Sequence, residues 1–223
     1  MLRYFLKPRD NYSMKSKLSP GHEIVSNEDE SVPLFGHKLL DMFSRVYWFV
    51  PLLIFLPVIA YFSYTALVLT EISILNFIFY VILGFFLWTI AEYLVHRFVF
   101  HHYPKNKLGQ KIHFIMHGVH HAYPNDSLRL LMPPILSIPL ATFFYFIWLL
   151  IFGKIASAIF VGFIFGYLCY DMMHYATHHA KFMKAPWFLR IKNHHMQHHF
   201  KDPDHGFGVS SDFWDKIFKT EIK

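Results

Sequence analysis

The stretch "VGFIFGYLCYDMMHYATHH", Val161 to His179, runs from an uncharged apolar segment straight into a histidine cluster. Its end carries H-x-x-x-H with a further histidine beside it. Residues i and i+4 share a face of an α-helix, so His174 and His178 point the same way. An apolar helix that ends in a histidine face puts fold and chemistry on one element. The question is whether the rest of the chain repeats that design.

It does. "HRFVFHH" spans His96 to His102, "HGVHH" spans His117 to His121, and "KNHHMQHHF" spans Lys192 to Phe200. Fifteen of the 17 histidines lie at or after His96. H-x-x-H-H predicts that His117, His120 and His121 share one helical face, and likewise His195, His198 and His199. H-x-x-x-x-H does not: five residues at 3.6 per turn swing the second side chain away. His96 and His101 are therefore expected to straddle the end of the second apolar run, with the chain bending between them, a bend that Pro104 supports.

Apolar runs precede and separate these clusters. Val46 to Leu69 and Ile74 to Tyr93 are parted by "TEIS", and Leu131 to Phe152 and Ile155 to Tyr170 by "GK". A crossing takes about 20 residues, so the four runs predict four transmembrane helices in two hairpins. Pro133 and Pro134 open the third, and Pro139 is expected to kink it. The composition agrees: of 223 residues, 54% are hydrophobic, 20% aromatic and only 16% charged, against about 25% charged in ordinary soluble domains. Mean hydropathy is +0.30.

Charge then orients the chain. Of the 21 Lys and Arg, seven precede Val46, five lie between Arg97 and Arg129, and eight follow from Lys181. Only Lys154 falls on the other side. An even number of spans with this bias predicts cytosolic termini and a cytosolic histidine-rich helical cap. The net charge of +6 is thus assigned to a membrane surface and not to nucleic acid. The first long apolar run starts too deep for a cleavable signal peptide. The single cysteine, Cys169, excludes an internal disulfide and is expected to pack within its span. The reading is an all-α integral membrane protein, with residues 1–45 a polar cytosolic arm and 46–223 the membrane domain.

The spaced histidines number ten: His96, His101, His117, His120, His121, His174, His178, His195, His198 and His199. Four ligands complete a structural zinc site, and imidazole also suits iron, copper and nickel. Ten exceed one metal and predict a dinuclear centre. The rival, a histidine-rich metal-binding or transport loop, would lack the interleaved Phe98, Phe100, Phe114, Ile115, Met116 and Tyr175. Asp171, three residues before His174, is expected to orient a ligand by accepting its other ring N–H. Glu92, four before His96, either supports a ligand or pairs with Arg97 or Arg129. Asp126 with Arg129 is expected to anchor a loop.

"EYLVHRFVFH", "HFIMHGVHH", "YPNDSLRLLMPP", "GYLCYDMMHYATHH" and "HHMQHHFKDPDHGFGVSSDFWDKIF" resemble the fatty acid 2-hydroxylases of the fatty acid hydroxylase/sterol desaturase superfamily, from about Trp48 to Phe218. The histidine spacings indicate the superfamily; the P-x-D-x-x-R-L-x-x-P-P run and the GFGVSS tail favour the 2-hydroxylase branch. The resemblance implies a membrane di-iron enzyme, with zinc able to occupy the same site. It would use O2 and two electrons to hydroxylate C2 of a long acyl chain. The family's ligand pattern falls on the ten histidines. His102, His113, His179, His194 and His205 match no ligand position; His113 and His179 are placed in the layer behind the ligands.

Many eukaryotic relatives carry an N-terminal cytochrome b5 domain with H-P-G-G. This sequence has none, so the electrons are expected from a separate carrier such as cytochrome b5 or ferredoxin, in a bacterial inner membrane or an endoplasmic reticulum membrane. His194 stands where relatives often have tyrosine. The tail reads "FKT" where "FGT" is usual, with little effect expected of Lys219. Pro133, Pro134 and aromatics of the later spans are candidates to line an acyl slot, with the substrate's polar end near Tyr170 or Asp171. Carotenoid, sterol and sphingoid-base hydroxylases are the alternatives within the superfamily; a metal-dependent hydrolase would need neither O2 nor electrons.

Overall fold

The computed structural model describes residues 24–222. The first 23 residues of the expected arm, and Lys223, lie outside the described residues. Every regular element described is helical, in the order α1 (Lys38–Phe43), α2 (Val50–Tyr64), α3 (Ile74–Val95), α4 (Lys107–His113), α5 (Val119–Ala122), α6 (Pro134–Phe152), α7 (Ala156–His179), α8 (Pro186–Phe200) and α9 (Phe213–Phe218). π-helical turns extend α2 through Leu69 and α3 through Phe100, and join α4 to α5.

Proline and polar caps set the starts. Pro51 opens α2, so its first turn begins at Val50 and not at Val46. Ser73 caps α3 by accepting from the Asn76 amide. Asn106 caps α4 through Gly109, at 2.6 Å. Pro134 opens α6, which continues helical past Pro139 to Phe152.

Three helical runs are long and apolar enough to cross a membrane: Val50–Leu69, Ile74–Phe100 and Pro134–His179. The third is folded on itself. Gly153 takes φ +58°, a conformation that favours glycine, and a short 3-10 turn leads into α7. Phe144 then meets Phe163 at 4.8 Å, and Tyr145 meets Phe160 at 5.1 Å, so α6 and α7 run antiparallel.

α7 is the central helix, buried almost continuously from Ala156 to Tyr167. Its partner α3 runs parallel to it at very close range. A Cβ built on Gly84 would lie 1.9 Å from the Ile159 carbonyl oxygen, and one on Gly162 would lie 1.9 Å from that of Val81. Small residues that let two backbones touch are the usual packing device between helices in lipid, where apolar burial gives little drive. α2 crosses the other flank, with Phe55 on Tyr167 and Phe62 on Phe160. Cys169 points outward with Phe165, one turn earlier, and so does not pack in the interior. Because α3 and α7 are parallel and tightly locked, their histidine-bearing ends emerge side by side.

The arm is ordered where it crosses the cap. The Val25 and Ser26 amides both bond the carbonyl of Ala122, next to His121. Ser31 bonds Asp126. Arg129, buried, sits between Asp41 at 2.9 Å and Asp126 at 3.5 Å. The strap thus pins the loop after α5, and Asp126 with Arg129 holds that loop as the sequence implied.

Candidate metal centre

The ten spaced histidines converge in two groups of five. His96, His101, His117, His121 and His198 form one; His120, His174, His178, His195 and His199 form the other. Within each, the nearest ring nitrogens lie within 4.8 Å of one another. All are buried except the half-buried His101. His102, His113, His179, His194 and His205 stay outside both groups.

Local helix geometry explains the membership, and it differs from the expectation at two points. His96 and His101 do straddle the end of the helical run, at the C-caps of α3 and of the π-helical turn that extends it, but the chain between them is helical and not bent. The π-helical turn His96–Phe100 closes an i→i+5 bond, His101 N to His96 O at 3.0 Å, and sets the two rings edge to face with Nε2 atoms 3.2 Å apart. Nor does H-x-x-H-H serve one centre. His117 and His121 enter the first group and His120 the second; His195 and His199 enter the second and His198 the first. At about 100° per residue, positions i and i+4 differ by about 40°, while i+3 stands about 100° from i+4. One motif therefore faces two neighbouring centres, and the two motifs exchange their odd member.

Nitrogen positions define what the groups can hold. His96 Nδ1 lies 2.5 Å from the Phe207 carbonyl oxygen, and His198 Nδ1 lies 2.7 Å from that of His205. A carbonyl only accepts, so both Nδ1 atoms carry the proton and both Nε2 atoms keep a lone pair. The Nε2 atoms of neighbouring group members lie 2.9–3.2 Å apart. Five lone pairs aimed at one point repel unless a cation stands there. Nitrogens at about 2.0–2.1 Å from a shared ion would be about 2.9 Å apart at right angles and about 3.4 Å apart at the tetrahedral angle. The donor set and its spacing fit a metal ion in each group. Burial, and then the neighbouring histidines, push the imidazoles of His117, His121, His195 and His199 well below their ordinary value. Burial takes His120 down to about 3. The rings are neutral at pH 7, as a ligand must be.

The layer behind is partly as expected. Glu92 pairs with neither Arg97 nor Arg129. Its carboxylate accepts from the Val209 amide at 3.0 Å, the Ser210 amide at 2.8 Å and the Ser210 hydroxyl at 2.8 Å. Asp215 holds the same loop two residues earlier, accepting from the Phe207 and Gly208 amides at 2.9 and 2.8 Å. His194, the Gly208 and Phe207 amides and the Thr220 hydroxyl together hold its carboxyl below the usual carboxylate range despite burial. Two buried carboxylates thus fix the loop whose carbonyls meet His96 and His198. Asp215 and this loop are what residue reasoning missed, although the GFGVSS and WD residues marked the place.

Asp171 is buried and turned toward Tyr167, one turn back. It makes no hydrogen bond to His174. His113 takes the Phe100 carbonyl, at the end of the π-turn, and packs against Tyr103 at 5.5 Å. His179 stacks on Tyr175 at 4.7 Å.

The fold and site define a class: an all-helical, membrane-type protein whose cap holds two histidine cages able to bind metal. Comparison with known proteins narrows it. The family model for fatty acid hydroxylase matches residues 81–220. The ceramide very long chain fatty acid hydroxylase SCS7 of Saccharomyces cerevisiae is 39% identical over 196 residues, covering 86% of this chain and 50% of that protein. The fatty acid 2-hydroxylase of Rattus norvegicus is 35% identical over 211 residues, covering 86% and 57%. The dihydroceramide fatty acyl 2-hydroxylase FAH2 of Arabidopsis thaliana is 37% identical over 199 residues, covering 86% and 80%. The chain thus spans about half the length of the yeast and rat relatives. A solved structure of full-length scs7p, with only its hydroxylase domain visible, superposes with a TM-score of 0.84 at 37% identity, covering 91% of this chain and 76% of that one. This chain belongs to the fatty acid hydroxylase family.

Proposed function

We propose that this chain hydroxylates C2 of a long acyl chain, free or within a sphingolipid, at a centre of two iron ions bound by the ten histidines. The observation that carries the reading is the pairing of two five-nitrogen cages on the end of an apolar helix bundle. Named relatives are hydroxylases of fatty acids or ceramides. The overall reaction converts a CH2 next to the acyl carbonyl into CHOH, consuming O2, two electrons and two protons and releasing water. Iron bound in the cages supplies the redox chemistry that activates O2 toward the C–H bond. A separate carrier such as cytochrome b5 or ferredoxin supplies the electrons.

The chain's own residues orient and exclude. Carbonyls of His205 and Phe207 fix two imidazoles with Nε2 inward. Burial keeps water from the cages. α2, α3, α6 and α7 cross the bilayer, with Gly153 and Lys154 on the far side and both termini, like the cap, in the cytosol; the distribution of Lys and Arg supports that orientation. A narrow cavity of about 20 Å³ between α3, α6 and α7 is lined by Trp88, Ser137, Phe144 and Tyr167, with Met132 and not Pro133 or Pro134 at its edge. An acyl chain enters it by displacing side chains. Tyr167 lines it and Asp171 stands one turn further along α7 toward His174; the two would receive the polar end of the substrate. His113, His179 and Glu92 support the cages from behind.

The test is lipid mass spectrometry on cells expressing the chain beside a His198→Ala variant matched for expression. A 2-hydroxy acyl product that vanishes in the variant supports the reading. Absence of any new hydroxy acyl lipid, with iron and an electron donor supplied, refutes it and moves attention to carotenoid or sterol substrates.

A further inference from the structure

The C-terminal segment that holds the first histidine cage presents an apolar face to the outside. In α9, Phe213, Ile217 and Phe218 are 51%, 51% and 47% exposed. Its inner contacts tie it down: Asp215 is fully buried, Trp214 is half-buried against α3, and one face of Phe218 stacks on Tyr93 at 5.1 Å. Aromatic and aliphatic groups this exposed on a helix with a buried polar anchor invert the usual arrangement for water. The occupant of that face follows from where α9 sits.

Trp214 donates to Thr89 Oγ at 3.1 Å, and its ring lies 5.8 Å from that of Phe86. Both partners belong to the apolar run Ile74–Phe100. Phe86 and Thr89 stand about 18 and about 22 Å along the axis from Ile74 at 1.5 Å per residue. The hydrocarbon core is about 30 Å thick, so both contacts fall at the depth of lipid and not of cytosol. The flank of α3 around them is apolar and exposed, with Ile82 at 63% and Phe86 at 46%. α9 continues that surface sideways. A cavity of about 240 Å³, lined in part by Trp187, Ile191, Val209 and Asp212, opens beside it.

We propose that α9 is an interfacial helix, with Phe213, Ile217 and Phe218 seated in the lipid of the bilayer that α3 crosses. The inference rests on the membrane reading of α3. It makes the bilayer a structural partner of the first cage: α9 follows the loop whose His205 and Phe207 carbonyls meet His198 and His96. Lipid contact on one side of the segment and imidazole contact on the other belong to a single stretch of chain.

A single-label quenching experiment tests this. In a Cys169→Ser background, Ile217→Cys, Ile82→Cys and Glu28→Cys each carry one environment-sensitive fluorophore on the metal-loaded protein in phosphatidylcholine nanodiscs. Doxyl-labelled phosphatidylcholine probes lipid contact, and iodide probes water. The expected result is loss of most emission at 217 and 82 to doxyl lipid with protection from iodide, and the reverse at 28. Quenching at 82 by lipid but at 217 by iodide overturns the interfacial seat while leaving the span intact. Shielding of 217 from both quenchers would mean that protein covers the face, and overturns it equally. Iodide quenching at 82 defeats the membrane reading on which the inference stands.

Discussion

The rings of His121 and His199 lie 4.3 Å apart, the closest approach between imidazoles among the described contacts, yet they belong to different cages. The two centres therefore share a wall built from α5 and α8. Each H-x-x-H-H motif gives an i, i+4 pair to one cage and its odd member to the other. Loss of two ligands from one cage should leave the other loaded, while loss of one ligand from each should weaken both. His117→Ala with His198→Ala is expected to remove about half the bound metal, taking one ion per cage. His117→Ala with His120→Ala, from one motif but two cages, should lower the occupancy of both. Metal-to-protein ratios by plasma mass spectrometry decide it; equal loss in the two variants would reject the split.

Glu92 supports His96 at a distance through the Val209–Ser210 backbone. Glu92→Ala leaves two amides and a hydroxyl facing a cavity, and each unsatisfied buried donor costs about 1–3 kcal/mol. The variant should melt lower and lose metal faster to a chelator. Glu92→Gln keeps one carbonyl oxygen for the Val209 and Ser210 amides and should recover much of the loss. If both variants retain metal like the parent, the loop is not positioned by this carboxylate.

Much of this site was legible because imidazole spacing is a local property. The ten histidines follow from their spacings, and the apolar runs locate the helices that carry them. The membership of each cage was not legible, because a shared helical face cannot distinguish one centre from two set side by side. The pairing of His96 with His101 was hidden for another reason: five residues misalign on an α-helix, and only the π-helical turn brings them together. Asp215 was hidden too. Its work is done through backbone amides 7 and 8 residues earlier, which no side-chain pattern records.

Arg129 joins the arm to the histidine loop. Its side chain is 2% exposed between Asp41 and Asp126. Arg129→Ala would leave Asp41 to Arg45 alone, at 2.7 Å, and take from Asp126 its cation; breaking such a buried pair costs up to about 3–5 kcal/mol. The expected outcome is a large fall in thermal stability with metal loss, because Ala122 and the strap shift with the loop. Unchanged melting would show that the strap is dispensable.

Lys219 closes α9 at φ +56°, the left-handed conformation in which a Cβ is unfavourable. Its side chain is exposed, but its backbone is not neutral. Lys219→Gly should stabilise the protein by about 0.5–1 kcal/mol, less the entropy glycine gains when unfolded. A higher melting temperature with unchanged metal content checks it; a lower one would mean the lysine side chain contributes more than its backbone costs.

The pH response follows from the buried imidazoles of the cap. His117, His120, His121, His195 and His199 all titrate below the ordinary 6.5 when folded, His120 at about 3. Between the folded and unfolded values, the unfolded chain binds the extra protons. Each ring therefore contributes stability that is complete above about pH 6.5 and falls by about 1.4 kcal/mol per pH unit below it. Asp215 is shifted in the same direction, downward, and its contribution is lost only as the pH falls through the carboxylate range. The metal-stripped protein in detergent should keep a level melting temperature from pH 8 to about 6.5 and then lose it steeply toward pH 5, where the carboxylates are still ionised. Metal loading should move that edge to lower pH, since bound rings cannot take a proton. A melting temperature that stays flat to pH 5 in the stripped protein would show that the cap opens and hydrates its histidines without metal.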